Sequence, residues 1–124
     1  TEMRQASLLQ KVDSFDPTST PAATVFEMAT RNGAKAAGFD RVGCLREGWK
    51  ADVVGLTTDL TRATPIHDVL SHLVFSAHGD DVVFTMIDGD VLYDDGEHVR
   101  ADATDIRKRA QEVAERIDAA PTTN

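Results

Sequence analysis

The chain has 124 residues, with 13 Lys plus Arg against 21 Asp plus Glu, a formal net charge of −8 and 41% hydrophobic residues. That length suits one compact unit rather than two ordinary domains, and the acidic balance opposes nucleic-acid binding, which needs clustered Lys and Arg. A single cysteine, Cys44, excludes an internal disulfide or a Cys-rich zinc site. No apolar run approaches the roughly 20 residues of a membrane span, and no basic-then-apolar signal peptide opens the chain. A soluble, cytoplasmic protein is expected. The acids comprise 15 Asp and 6 Glu, the bases 9 Arg and 4 Lys; an excess of self-repelling carboxylates is a lever used by halophiles, so a salt-adapted source is also expected.

In chain order, Met3 to Val12 reads as a short helix with Met3, Ala6, Leu9 and Val12 on one side. A polar loop carrying Pro17 follows. Thr20-Pro21 offers a cap and a first-turn proline, and Val25, Met28, Ala29, Asn32 and Ala36 then recur at helical spacing until Gly38. Phe39 to Trp49 is rich in glycine and charge. Ala51 to Leu56 is a β-branched run in which Gly55 marks a bulge or a close backbone approach. Thr64-Pro65 repeats the helix-start signal for a helix running to about His78, with Val69, Leu70, Leu73, Val74 and Ala77 as its apolar face. Val82 to Ile87 and Val91 to Tyr93 are strands joined by Asp88-Gly89, the dipeptide of a tight type I′ turn. Asp95-Gly96 turns the chain again, and His98-Val99 begins one more short strand. Asp102 or Thr104 caps a last helix lined by Ile106, Ala110, Val113 and Ile117, and Pro121 to Asn124 should fray. Only three or four short strands are visible, too few to close a sandwich or barrel.

No catalytic or metal-binding set assembles from these residues. His67 and His72, five apart, would lie about 140° apart on a helix and could not share a ligand face. His78 falls at a helix end and His98 on a late strand; all four histidines read as capping, hydrogen-bonded or surface residues. Cys44 lacks a neighbour that favours the thiolate and reads as a small packed residue. Asp80-Asp81 and Asp94-Asp95 lack calcium-loop spacing and read as turn flanks on a solvated face. Gly33 and Gly38 follow no strand and precede no Gly-Lys-Ser or Gly-Lys-Thr, so they form no phosphate loop. Trp49-Lys50 and Phe75 read as packing residues. No catalytic, cofactor-binding or metal residue is therefore expected in this chain.

The linear pattern is distinctive even so. Met3-Arg4-Gln5-Ala6-Ser7-Leu8-Leu9-Gln10-Lys11 is followed by Met28-Ala29-Thr30-Arg31-Asn32-Gly33-Ala34-Lys35-Ala36. The run Val42 to Val54, with Gly43, Leu45, Gly48, Ala51 and Asp52, comes next, then His67-Asp68 with Ser71-His72-Leu73-Val74-Phe75, and last Asp88 to Gly96. Together these resemble the C-terminal third of metal-dependent amidohydrolases, closest to 5-methylthioadenosine/S-adenosylhomocysteine deaminases and triazine (atrazine-type) chlorohydrolases. The resemblance runs from about Met3 to Ile117, and Gly43 to Asp52 is its most specific block.

That resemblance implies an α+β fragment: the last helices of a (β/α)8 metallo-hydrolase barrel plus the C-terminal half of a composite β-sandwich. Residues 1–40 would be barrel helices, 41–120 sandwich strands and helices, and 121–124 a frayed tail. The family's zinc (iron in some members) is held by a His-x-His pair, a third His and an Asp, all preceding the position of Thr1, and none maps onto this sequence. The parent would hydrolytically deaminate an adenosine-type or related N-heterocyclic compound, its metal lowering the pKa of water while a carboxylate shuttles the proton and ammonia leaves. The resemblance makes this chain structural and inactive alone, binding no cofactor. Its expected partners are the N-terminal part of the same enzyme, a small-molecule substrate through that parent, and further copies in a homo-oligomer, with no nucleic acid and no membrane. Thr1 not being Met points the same way, toward a truncated or cleaved product. The alternative is an autonomous, non-catalytic interaction module on the same scaffold. In isolation the chain should expose unpaired strand edges and apolar helix faces.

Overall fold

The computed structural model describes residues 2–119, so the expected fraying of 121–124 lies outside the described residues. Helix α1 spans Glu2–Ser14. Helix α2 is one unbroken helical run made of Ala22–Glu27, a wider π-turn Met28–Asn32, and Gly33–Ala36. Helix α3 joins Val69–Ser71 to a second π-turn, His72–Ser76. Strands β1 (Val53–Leu56), β2 (Val82–Ile87), β3 (Asp90–Asp94) and β4 (Glu97–His98) form an antiparallel meander in the order β1-β2-β3-β4. Helix α4, Ala103–Asp118, ends the described chain.

The helix ends show which local signals prevailed. Thr20 does not cap α2. Pro21 occupies that position, and its carbonyl accepts the Thr24 and Val25 N–H groups at 3.0 and 3.3 Å. Thr20 turns to φ +46° and gives its carbonyl to the Ser7 hydroxyl at 2.8 Å. At the other end, Phe39 N–H donates to the Ala34 carbonyl (2.9 Å) and Gly38 N–H to that of Lys35 (3.2 Å), the paired bonds of a Schellman stop. The expected start of α3 at Thr64-Pro65 is overturned. That peptide is cis and lies in a loop, and the helix begins only where the Asp68 carboxylate accepts the Ser71 N–H at 2.7 Å. The hydrogen bonds from Ser71 hold the Asp68 carboxyl below its ordinary value. Asp102, rather than Thr104, caps α4 by accepting the N–H groups of Thr104 and Asp105 at 2.8 and 3.0 Å.

Two helix faces also differ from the apolar periodicity. On α1 the inward face is Met3, Ser7 and Lys11, while Leu9 and Val12 are each 70% exposed. The polar face wins because the turn after α1 presents carbonyls that need donors: Lys11 Nζ reaches those of Pro17 and Ser19, both at 2.6 Å. On α2 the buried or half-buried positions are Ala22, Val25, Phe26, Thr30, Gly33 and Ala34, whereas Met28, Ala29, Asn32 and Ala36 are exposed. The π-turn widens the helix and shifts the phase of everything after it. The small core is therefore Ala22, Val25 and Val74, flanked by Met3, Phe26, Leu70 and Phe75, so that α3 packs with α1 and α2.

The sheet follows its turn chemistry closely. Asp88 (φ 51°) and Gly89 (φ 86°) both take the positive φ that a tight hairpin requires, and Asp95 (φ 40°) and Gly96 (φ 94°) repeat it. The last strand is Glu97–His98, one residue earlier than expected. At Gly55 the β1–β2 register shifts, and a Cβ there would stand 3.1 Å from Phe84 Cβ, so bulge and close approach coincide. Gly43 serves a similar purpose between layers: with φ +86°, its backbone lies so near α2 that a Cβ would come within 2.9 Å of Arg31 Cα.

Two polar ties hold the loops to this frame. Asp81 is 1% exposed, which corrects the expectation that it flanks a turn on a solvated face. Its carboxylate pairs with Arg62 and accepts the His78 N–H at 2.9 Å, while its carbonyl accepts the Thr57 N–H at 2.8 Å. A buried carboxylate is tolerated only when so satisfied. Farther along, Asp52 Oδ1 accepts the Asp88 N–H at 2.7 Å, Ala51 O accepts the Gly89 N–H at 3.2 Å, and Lys50 Nζ lies 3.1 Å from Asp88 Oδ2. The Gly43–Asp52 block is thus pinned to the tip of the β2–β3 hairpin.

Both ties give measurable expectations. Arg62→Ala strands a buried carboxylate and should cost about 3 kcal/mol, whereas Asp81→Asn keeps the shape and leaves Arg62 to be solvated, at about 1–2 kcal/mol. Urea unfolding that ranks Asp81→Asn as the costlier change would refute this account. Removing the Asp52 acceptor (Asp52→Ala) should cost about 1 kcal/mol and speed amide exchange at Asp88. Lys50→Ala should cost less than about 0.5 kcal/mol, because its ion pair is solvent-screened. Equal exchange rates at Asp88 in wild type and Asp52→Ala would count against the pin.

Candidate functional site

The residues that ordinarily carry chemistry are dispersed over the two layers. His67 is exposed in the loop before α3, so the expected helical relation to His72 does not arise. His72 is half-buried at the start of the second π-turn, and His78 is exposed just before a 3-10 turn, Gly79–Asp81. His98 on β4 lies with its ring 5.1 Å from that of Tyr93, tilted by 56°. Cys44 is a free, half-buried thiol in the segment that crosses α2. Asp80, Asp94 and Asp95 are exposed. Among the described residues no group of three or more His, Cys, Asp or Glu side chains could hold a metal ion.

The concave surfaces are open. One hollow of about 480 Å³ lies on the sheet between the Gly79-Asp80 turn, Val82, Thr85, Leu92, Tyr93 and His98. Another, of about 260 Å³, lies where α1 meets the end of α3, lined by Arg4, Gln5, Leu8, Phe75, Ala77 and His78 among others. Neither brings together a nucleophile, a base and a group to orient it, which is what catalysis from these side chains would need. Trp49, half-buried, carries the Arg46 guanidinium 5.8 Å from its ring centroid, whereas Lys50, expected to pack with it, is exposed and pairs with Asp88.

The residues that sequence reasoning missed are Arg62 with Asp81, and Asp52 with Asp88. Arg62 and Asp81 stand 19 residues apart, with no pattern between them that marks a pair. Asp52 and Asp88 did carry a signal, since each belongs to a motif noted above, the Ala-Asp of the Gly43 block and the Asp-Gly turn. What remained hidden was that the two motifs touch. What this arrangement offers is a set of surfaces: large apolar side chains such as Leu9, Val12, Phe15, Val54, Ile106 and Ile117 are all exposed.

Comparison with known proteins gives these surfaces a context. A 5-methylthioadenosine/S-adenosylhomocysteine deaminase of Thermococcus kodakarensis is 48% identical over 91 residues, covering 73% of this chain and 21% of the relative. Among solved structures, an adenosine deaminase from Xanthomonas campestris with bound zinc matches 96% of this chain and 27% of its own, at TM-score 0.91 and 32% identity. The zinc complex of an atrazine chlorohydrolase from Arthrobacter aurescens matches 90% and 25%, at TM-score 0.79 and 26% identity. The chain spans about a quarter of the length of the curated relatives it matches. The model of the amidohydrolase family matches residues 1–92; on these likenesses, which agree with the resemblance carried by the sequence motifs, the chain belongs to the amidohydrolase family.

Proposed function

We propose that this chain is the C-terminal part of a zinc-dependent amidohydrolase that hydrolytically deaminates an adenosine-type or related N-heterocyclic compound, and that its own role is structural. The observation that carries the reading is the superposition of nearly the whole chain on about a quarter of a zinc-bound adenosine deaminase. The described residues do not fit the metal, since no cluster of ligands forms. No catalytic step is therefore assigned to them, and zinc and substrate would be held by the rest of the enzyme.

In this reading residues 1–40 are the last helices of a (β/α)8 barrel and residues 41–120 contribute strands and helices to a composite sandwich. Two features support it. The outer edge of β1 has no pairing strand among the described residues, and α1 turns its apolar Leu9 and Val12 outward, where a further layer would bury them. The core shared by α1, α2 and α3 would then hold the barrel and sandwich portions to one another. The parent would be a cytoplasmic homo-oligomer. No described helix is long and apolar enough to cross a membrane.

The test exchanges this chain for the matching segment of the Thermococcus deaminase. The chimera should retain zinc and deaminate 5-methylthioadenosine, while the isolated chain should bind no stoichiometric zinc and turn over no adenosine analogue. One tightly bound zinc per isolated chain, or a chimera that folds but has neither metal nor activity, would overturn the proposal.

The carboxylates, nearly all exposed, further support a salt-adapted surface. Screening shortens the range of their mutual repulsion to about 3 Å at 1 M salt, so the unfolding midpoint should rise from low to multimolar salt. A flat response would remove that reading.

A further inference from the structure

Two Asp-Gly pairs turn this sheet, and the fold treats them differently. Asp88-Gly89 and Asp95-Gly96 both hold positive φ, at 51° and 86° and at 40° and 94°. Both aspartates and both glycines are exposed, and the space that a glycine Cβ would fill is open at each. Access therefore does not separate the two turns, but restraint does. At the first, Asp52 Oδ1 accepts the Asp88 N–H at 2.7 Å and the Ala51 carbonyl accepts the Gly89 N–H at 3.2 Å. Lys50 Nζ, 3.1 Å from Oδ2, holds the Asp88 carboxylate as well. At the second, the Asp95 N–H donates to the Val83 carbonyl at 2.8 Å. Among the described residues neither the Gly96 N–H nor the Asp95 carboxylate has a partner. The flanking strands differ in the same sense. Asp88-Gly89 joins β2 to β3, of six and five residues. Asp95-Gly96 leads instead into the two-residue β4, whose register is Tyr93↔His98 and Asp94↔Glu97. A short exposed edge opens at a lower free energy than a hairpin closed inside the sheet.

We infer that Asp95-Gly96 is a site of spontaneous isoaspartate formation, and that the Asp52 pin protects Asp88-Gly89 from the same reaction. The Gly96 nitrogen attacks Cγ of the protonated Asp95 carboxyl, and a Cγ–N bond forms. The carboxyl hydroxyl leaves with the amide proton as water, and a five-membered succinimide remains. Water then adds at either carbonyl of that ring. Breaking the Cγ–N bond restores aspartate. Breaking the bond between the Asp95 backbone carbonyl and nitrogen leaves the chain running through Cβ and Cγ, with the former backbone carbonyl freed as a carboxylate. One water leaves and one returns, so no oxidant or other reactant is needed. The attack requires a backbone that can rotate and a following residue without a Cβ in the way, which Gly96 supplies and Asp95, after Asp94, does not. The product adds one carbon to the main chain of a two-residue turn, and the register of β4 on β3 is lost with it.

Prolonged incubation of the full chain in buffer and in concentrated urea tests the inference. Peptide mapping with electron-transfer fragmentation reads it, because that fragmentation separates the two linkages at unchanged mass. In urea both sites should convert at comparable rates. In buffer isoaspartate should accumulate at least ~tenfold faster at Asp95 than at Asp88. Asp52→Ala should raise the rate at Asp88 about fivefold, the factor that one hydrogen bond is worth, and leave the rate at Asp95 unchanged. Equal rates in buffer, or faster conversion at Asp88, would overturn the inference, as would an Asp95 that stays intact in buffer while the urea sample converts. The same preference for Asp95 in urea would assign the selection to neighbouring residues and not to the fold. An Asp88 rate in Asp52→Ala equal to that of the wild type would remove the protective role of the pin.

Discussion

The fold turns on one buried carboxylate. Asp81 sits where α3 has ended and β2 is about to begin, and three separate segments converge on it: the turn bearing Arg62, the backbone of His78, and Thr57 just past β1. A charged group taken out of water must be compensated by partners in fixed places, because the alternative costs several kcal/mol. That requirement makes Asp81 a joint rather than a filler. It aligns the start of β2 with the end of β1, and the helical core and the sheet are thereby held in a single arrangement despite sharing little apolar surface.

Around that joint the interior is sparse. Among the described residues the buried apolar side chains are Ala22, Val25, Val74 and Ala63, a small core for a chain of this length. Much of the remaining hydrophobic content is displayed on the outer sides of α1 and α4 and along the sheet. The backbone order is nevertheless set locally, by the Asp68 and Asp102 caps, the Schellman stop at Gly38, and two tight turns. Local hydrogen bonding thus defines the elements, while many large apolar side chains remain exposed.

Legibility in the sequence followed the range of the forces involved. The hairpin at Asp88-Gly89 and the bulge at Gly55 were readable because each depends on the φ or the bulk of one or two neighbouring residues. Helix faces were less readable. Leu9 and Val12 lie on an apolar stripe of α1 that points outward, since the carbonyls of the following turn claim Ser7 and Lys11 for the inward face. In α2 a single π-turn was enough to bring Thr30 inward in place of Met28 and Ala29.

By itself the sequence determined the turns, most of the helices and strands, and the family, because these rest on short-range sterics and on contiguous motifs. Tertiary structure alone decided which faces turn inward, that Asp81 is buried against Arg62, and that the Asp52 and Asp88 motifs meet. Those outcomes depend on groups brought together from 6 to 36 residues apart, and no periodicity along a chain records which donor will find which acceptor once it has folded.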